Sequence, residues 1–178
     1  DTFFSNAPLF FLFLIPAITM RMFAEEFNTG TLELLLTRPL KIIDIIGGKF
    51  LAALMLVVFA ILPTIVYYFS IYKIAAPEGN VDTGGIIGSF FGLILLGASF
   101  VALGTFSSAI THNQIIAFLT GVLFCFTFYM GLDFLAKMPV FVVRLDYFIE
   151  HLGINAHYLA MSKGVIDTRD LLYFLSLI

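Results

Sequence analysis

The chain has 178 residues, of which 61% are hydrophobic and 12% charged, with a net charge of -3 and a mean hydropathy of +1.06. Soluble globular domains carry about a quarter charged residues, so a soluble fold is excluded, and the acidic balance argues against a nucleic-acid partner. In lipid every backbone polar group needs an internal partner, and the long apolar runs predict an all-α, polytopic membrane protein forming a single transmembrane domain over 1–178. Twenty-two Phe and no Trp leave Tyr to supply any interfacial belt. The lone Cys125 lies in an apolar run, which excludes an intrachain disulfide and predicts a buried, inert thiol.

Phe3 to Met20 is the first span; Pro8 suits its start, and Pro16 is expected to kink it. Arg21 marks the water boundary and opens a polar stretch running to Lys49. This stretch holds four of the nine Lys and Arg residues and four of the twelve acids, so it is locally neutral. A neutral surface dense in both signs suits a specific protein contact. Arg21 and Glu25 are spaced to pair along a helix, and Asn28-Thr29-Gly30 breaks it. Gly30 or Thr31 can cap the next helix, with Glu33 in its first turn. Leu32, Leu35 and Leu36 share one face, and Pro39 closes that helix at or before Arg38. From pattern alone, the bland reading of this amphipathic segment is a helix lying on lipid.

Phe50 to Tyr72 is the second span, with Pro63 inside it and Tyr67, Tyr68 and Tyr72 at its far end. A turn region follows to Asp82. The third span runs from Gly84 to about Ile110. Gly84, Gly88 and Gly92 form two overlapping G-x-x-x-G steps, suited to packing within the chain or to a dimer seam. Thr111-His112-Asn113-Gln114 reads as a tight connection, with Thr111 and Gln114 as a capping box for the fourth span, Ile115 to Leu135. His112 has no second ligand nearby, so no metal site is expected. Asp133 sits near the end of the fourth span, at a depth from which it can reach water. Pro139 to Glu150 predicts an interfacial helix, and Asn155 to Lys163 a short helix stopped by Gly164. Asp167 then caps a last helix, the start of a fifth span, with Asp170 in its first turn.

The order Arg21-x-Phe23-Ala24-Glu25-Glu26-x3-Gly30-Thr31-x-Glu33-Leu34-Leu35-Leu36-Thr37-x-Pro39, followed by Gly48-Lys49-Phe50, resembles the signature loop of type-2 ABC exporter permeases. More narrowly, the chain is similar to the gliding-motility-associated permease subunit. The run Gly164 to Phe174 resembles the same family just before its last span. The resemblance implies that the segment around Gly30 to Leu36 is a cytoplasmic coupling helix. Its expected contacts with the ATPase subunit are Glu25, Glu26, Gly30, Thr31, Leu32, Glu33, Leu35, Leu36 and Pro39. It also implies an extracytoplasmic re-entrant region over 136–170, a location in the bacterial inner membrane and a second permease copy or related permease. An auxiliary extracytoplasmic subunit is a further expected partner. ATP and Mg would be bound by the ATPase, with no cofactor on this chain.

With no Met at Asp1 and an apolar run reaching Ile178, the chain reads as an internal fragment; the resemblance implies one missing membrane helix before Asp1 and the remainder of one after Leu171. No signal peptide is visible. By alternation, the loop after the first span and Thr111–Gln114 share one side. The positive-inside count opposes Arg21, Arg38, Lys41 and Lys49 to Lys73, Lys137, Arg144, Lys163 and Arg169. It does not orient the chain, so orientation rests on the resemblance.

No catalytic residue is expected. Gly47-Gly48-Lys49-Phe50 fails as a phosphate-binding loop, because position 43 is Ile and Phe50 stands where Ser or Thr would hold magnesium. A membrane-embedded enzyme using Asp133, or His157 with Tyr158, is the alternative of another class. A structural anchor recruiting a cytoplasmic protein is a third reading.

Overall fold

The structure is a computed structural model that describes residues 2–37, 41–74, 82–136, 152–164 and 167–178. Its elements are α1 (Thr2–Thr19), α2 (Ala24–Thr29), α3 (Thr31–Leu36), α4 (Ile42–Ile74), α5 (Thr83–Ile110) and α6 (Gln114–Phe126). A π-helical turn, Thr127–Gly131, leads into α7 (Leu132–Ala136), and α8 (Ile154–Ser162) and α9 (Thr168–Leu177) follow. Among the described residues there is no strand. Among the described residues, four helical stretches are long and apolar enough to cross a membrane: Phe3–Thr29, Ile42–Ile74, Thr83–Ile110 and Gln114–Phe134. Pro39, the turn around 77–80 and the interfacial helix expected over 139–150 lie outside the described residues.

α5 is the central helix, packed against α1, α4, α6, α8 and α9. Lipid tails are as apolar as leucine, so helices associate in a membrane largely through close packing of small residues. α5 supplies them at successive levels. A Cβ at Gly97 would stand 2.8 Å from Val57 Cγ1 of α4, and one at Gly104 would overlap the hydroxyl of Thr19 on α1. Thr19 can sit there because its own hydroxyl turns back to donate to the Ile15 carbonyl, at 3.0 Å. Phe11 and Ile15 of α1, Val57 of α4, Phe100 of α5 and Tyr129 of the π-helical turn fill the buried cluster around this axis. Phe100 and Tyr129 meet edge to face at 6.1 Å. Pro16 lies inside α1, and Gly121 of α6 accommodates its ring, with a Cβ there falling 3.2 Å from Pro16 Cβ. Cys125 is buried with its thiol facing the Phe100 carbonyl.

Three expected boundaries shift. α4 starts at Ile42 instead of Phe50, so the last part of the polar stretch is the first two turns of a membrane helix. Gly47 and Gly48 do not interrupt it, because glycine in a helix interior costs stability without forbidding the conformation. Asn113, not Thr111, caps α6: its side chain accepts from Ile115 N at 2.9 Å, while Thr111 is extended and ends α5. An Asx side chain two residues ahead of the amide reaches it directly, which removes the need for a capping box. Finally, the fourth span is not a continuous α-helix but contains the π-helical turn.

The glycines of α4 and α5 should separate in a thermal unfolding experiment in detergent. Gly104→Leu must push α1 off α5 and is expected to cost about 1–3 kcal/mol. Gly47→Ala meets nothing within 4 Å and is expected to be neutral or stabilising by about 0.5–1 kcal/mol. The reverse ranking would show that α1 and α5 do not cross at this level.

Candidate functional site

The polar stretch folds as an elbow at one end of the bundle. α1 stops at Thr19 and turns through Met22, whose amide donates to the Thr19 carbonyl at 3.0 Å. α2 then begins with Phe23 at its cap position, and a phenylalanine side chain cannot accept the free amides of a helix start. Ser108 of α5 does so from across the bundle. Its hydroxyl oxygen accepts from Phe23 N at 3.0 Å and Ala24 N at 3.1 Å, and its proton goes to the Met20 carbonyl at 3.1 Å. A hydroxyl has one donor and two acceptor positions, and all three are engaged here at a site with 0% exposure.

On the other side of the elbow stands Lys49 of α4. Its ammonium donates to the Met22 carbonyl, forms an ion pair with Glu26 and lies 4.2 Å from the centre of the Phe23 ring. A cation suits this place, because it sits by the carbonyls at the end of α1, where the helix dipole is negative. The Arg21–Glu25 pair expected from spacing does not form; Glu26 with Lys49 is the ion pair of this stretch among the described residues. Four-residue spacing brings side chains together only on a continuous helix, and Arg21 lies in the turn before α2.

Beyond α2 the chain breaks at Gly30, whose φ of 70° lies in the left-handed region that glycine tolerates. Thr29 donates to the Glu25 carbonyl at 2.9 Å, and its hydroxyl meets that of Thr31 at 2.9 Å, bracketing the break. α3 is thereby held off the bundle. Thr31 and Glu33 are exposed, and Leu32 is half-buried. The side chains of Leu35 and Leu36, like Pro39, lie outside the described residues. An open cleft of about 540 Å³ lies between the elbow, the two short helices and α4, lined by Arg21, Glu25, Glu26, Thr29, Thr31 and Lys49. His112, from the connection between α5 and α6, meets the Phe27 ring edge-on at 4.9 Å and ties that connection to α2.

The elbow residues match in order the signature stretch quoted above, and a family comparison extends that likeness along the chain. The model of the family described as ABC-2 family transporter protein matches residues 2–171. The chain belongs to this family. It is therefore a membrane component of an ABC transporter, a multi-pass membrane protein of a kind that generally works with a cytoplasmic ATPase. No curated protein and no solved structure matches it.

The opposite end of this ABC-2 permease holds the other residues singled out from sequence, and they are dispersed. Gly88 and Gly92 face α8 of the same chain: a Cβ at Gly88 would stand 2.6 Å from the Met161 carbonyl, and one at Gly92 3.4 Å from the Tyr158 ring. A Cβ at Gly84 would stand 3.6 Å from Asp82 Oδ1, and a Cβ at Gly164 would stand 3.3 Å from the Gly84 carbonyl carbon. Asp133 is half-buried. One carboxylate oxygen accepts from Asn155 at 2.6 Å, and the other is buried with no partner among the described residues. The π-helical turn contributes to this, since each added residue rotates the following side chains by about 100°. His157 Nδ1 lies 2.6 Å from Asp170 Oδ1, and its ring stacks on Tyr173 at 4.1 Å. Tyr158 instead donates to the Phe4 carbonyl at 2.7 Å, and burial pushes its phenol up, which keeps it a neutral donor. Among the described residues, Asp133, His157 and Tyr158 thus bond to three different elements, whereas an active site calls for convergent polar groups. Among the described residues no three His, Cys, Asp or Glu side chains group as metal ligands.

Ser108 and the Lys49 socket were missed from sequence. The missed signal was a serine pair, Ser107-Ser108, late in an apolar span, where an interior hydroxyl needs a partner. Ser107 bonds the Ala117 carbonyl at 2.7 Å and so closes the α5–α6 hairpin, while Ser108 serves the elbow. Ser108→Ala leaves two buried amides without acceptors and is expected to cost about 1–3 kcal/mol. Hydrogen exchange should locate the effect: the amides of Phe23 and Ala24 should exchange faster, with α8 unchanged.

Proposed function

We propose that this chain is the membrane-spanning subunit of an ATP-driven exporter, with the elbow end cytoplasmic and α3 as the coupling helix that a separate ATPase subunit engages. The observation that carries this reading is the mounting of α3. A six-residue helix with exposed Thr31 and Glu33 projects past a glycine hinge from an elbow braced on one side by α5 and on the other by α4. A helix resting on lipid needs no such bracing, whereas a helix that receives force from a partner does.

In this reading ATP and Mg stay on the ATPase, two permease chains or a related pair combine with two ATPases, and closure of the ATPase dimer displaces α3. The membrane helices then switch access for the cargo. No residue here is catalytic, because the step is a shift between conformations. Glu25, Thr31 and Glu33 are the polar contacts, Gly30 sets the break, and Leu32 with Leu35 and Leu36 seats the helix, ending at Pro39. Glu26 is held by Lys49 and serves the elbow. A bacterial inner-membrane location, a link to gliding motility and an auxiliary extracytoplasmic subunit belong to the same proposal and rest on the resemblance of the two quoted motifs. An anchor recruiting a cytoplasmic protein would use the same surface without changing its ATPase rate.

Glu33→Arg tests the reading by co-purification with the candidate ATPase and by ATPase assay of the reconstituted pair. Reversing a charge at a docked interface is expected to weaken the complex at least ten-fold, or about 1.4 kcal/mol, and to remove the stimulation of ATP hydrolysis. Unchanged binding and unchanged stimulation would return α3 to the lipid surface. Wild-type binding without any stimulation would favour the anchor.

A further inference from the structure

The long helices are not equally tethered. α4 is exposed along most of its length, including Leu51, Met55, Phe59 and Val66, and only a stripe of Ala53, Val57 and Ile61 is buried. At the elbow end the first two turns carry exposed Ile42, Ile43 and Ile46, and a Cβ at Gly47 or Gly48 meets nothing within 4 Å. Lys49 bonds this end of α4 to the elbow. Its ammonium enters a socket built from the turn and the first residues of α2: the Met22 carbonyl, the Phe23 ring face and the Glu26 carboxylate. The three partners are complementary, since a carbonyl at a helix end, a ring quadrupole and a carboxylate all favour a cation. The side chains of Lys49 and Glu26 are 18% and 24% exposed, so this half-buried pair is screened less by salt than a fully exposed one, although it lines the open cleft.

We infer that Lys49 is the strut through which displacement of α2 and α3 reaches α4. It acts as a positioning residue inside the chain and does not touch the ATPase. The inference rests on the coupling reading above and adds the route: Ser108 links the elbow to α5, and Lys49 links it to α4. Farther along, α4 is held to the bundle by the Ala53, Val57 and Ile61 stripe, with Val57 against Gly97 of α5, so the Lys49 joint governs how its elbow end follows α2 and α3.

The test uses the permease and its ATPase reconstituted together in nanodiscs, with complex formation and permease-stimulated ATP hydrolysis measured side by side. Lys49→Met keeps the aliphatic stem and removes the charge. It should leave the complex intact and lower the stimulation at least ten-fold, and Lys49→Arg should retain most of it. Glu26→Gln should lose stimulation in the same direction, and the Glu26→Gln/Lys49→Met double variant should be no worse than Lys49→Met alone, as for two residues of one joint. Additive losses, or stimulation unchanged in Lys49→Met, would overturn the inference with the coupling reading intact. Loss of the complex itself in Lys49→Met would overturn it too, by placing Lys49 on the docking surface. Should Lys49→Met run as an aggregate on gel filtration, Lys49→Arg and Glu26→Gln decide by the same criteria. A wild-type pair that neither binds nor is stimulated would remove the coupling reading itself.

Discussion

The close approach of α1 to α5, with Gly104 against Thr19, is the constraint on which the elbow depends. Without it the α1 terminus would stand too far from α5 for Ser108 to reach the Met20 carbonyl and the Phe23 and Ala24 amides within about 3 Å. Ser108 is fully buried there, so no water replaces those bonds, and the chain breaks its helix where a neighbour can serve the freed groups. The change of direction after Thr19 is therefore a tertiary feature, set by a helix 85 residues away in sequence.

From that fixed point the two ends of the molecule take different characters. The elbow end combines a rigid joint with an extended short helix, an open cleft and mixed charge, the arrangement expected where one protein pushes on another. At the opposite end α8 is drawn onto the α5 glycines, and Asn155, His157 and Tyr158 each bond a different element. The polar groups of α8 thus hold the helical ends together. Acids and a histidine in a membrane protein are ordinarily strong functional candidates; among the described residues these ones serve as bonds between helices.

Helix identity was largely legible from sequence because long apolar runs in lipid have few conformations open to them. The glycine break at Gly30 and the Asp167 cap were legible for the same local reason: each is decided by one residue's conformational freedom or one side chain's reach. What local spacing could not supply was the pairing. Glu26 and Lys49 lie on separate helices, so no i, i+4 rule finds them, and Arg21 with Glu25 obeys the rule on paper but spans a turn. The extension of α4 back to Ile42 was hidden by Asp44 and Lys49, which lie before the uncharged run that begins at Phe50.

The sequence by itself determined that this is an all-helical membrane protein, where its apolar spans lie, and which short motif carries its likeness to ABC permeases. These follow from composition and residue order, because hydrophobic length and local capping act over a few residues. Only the tertiary structure decided which charges pair, that Asp133 accepts from Asn155, and that a serine from α5 and a lysine from α4 brace the elbow. Those outcomes depend on how closely helices approach in space, and in a bilayer that distance is set by the small residues that happen to face one another.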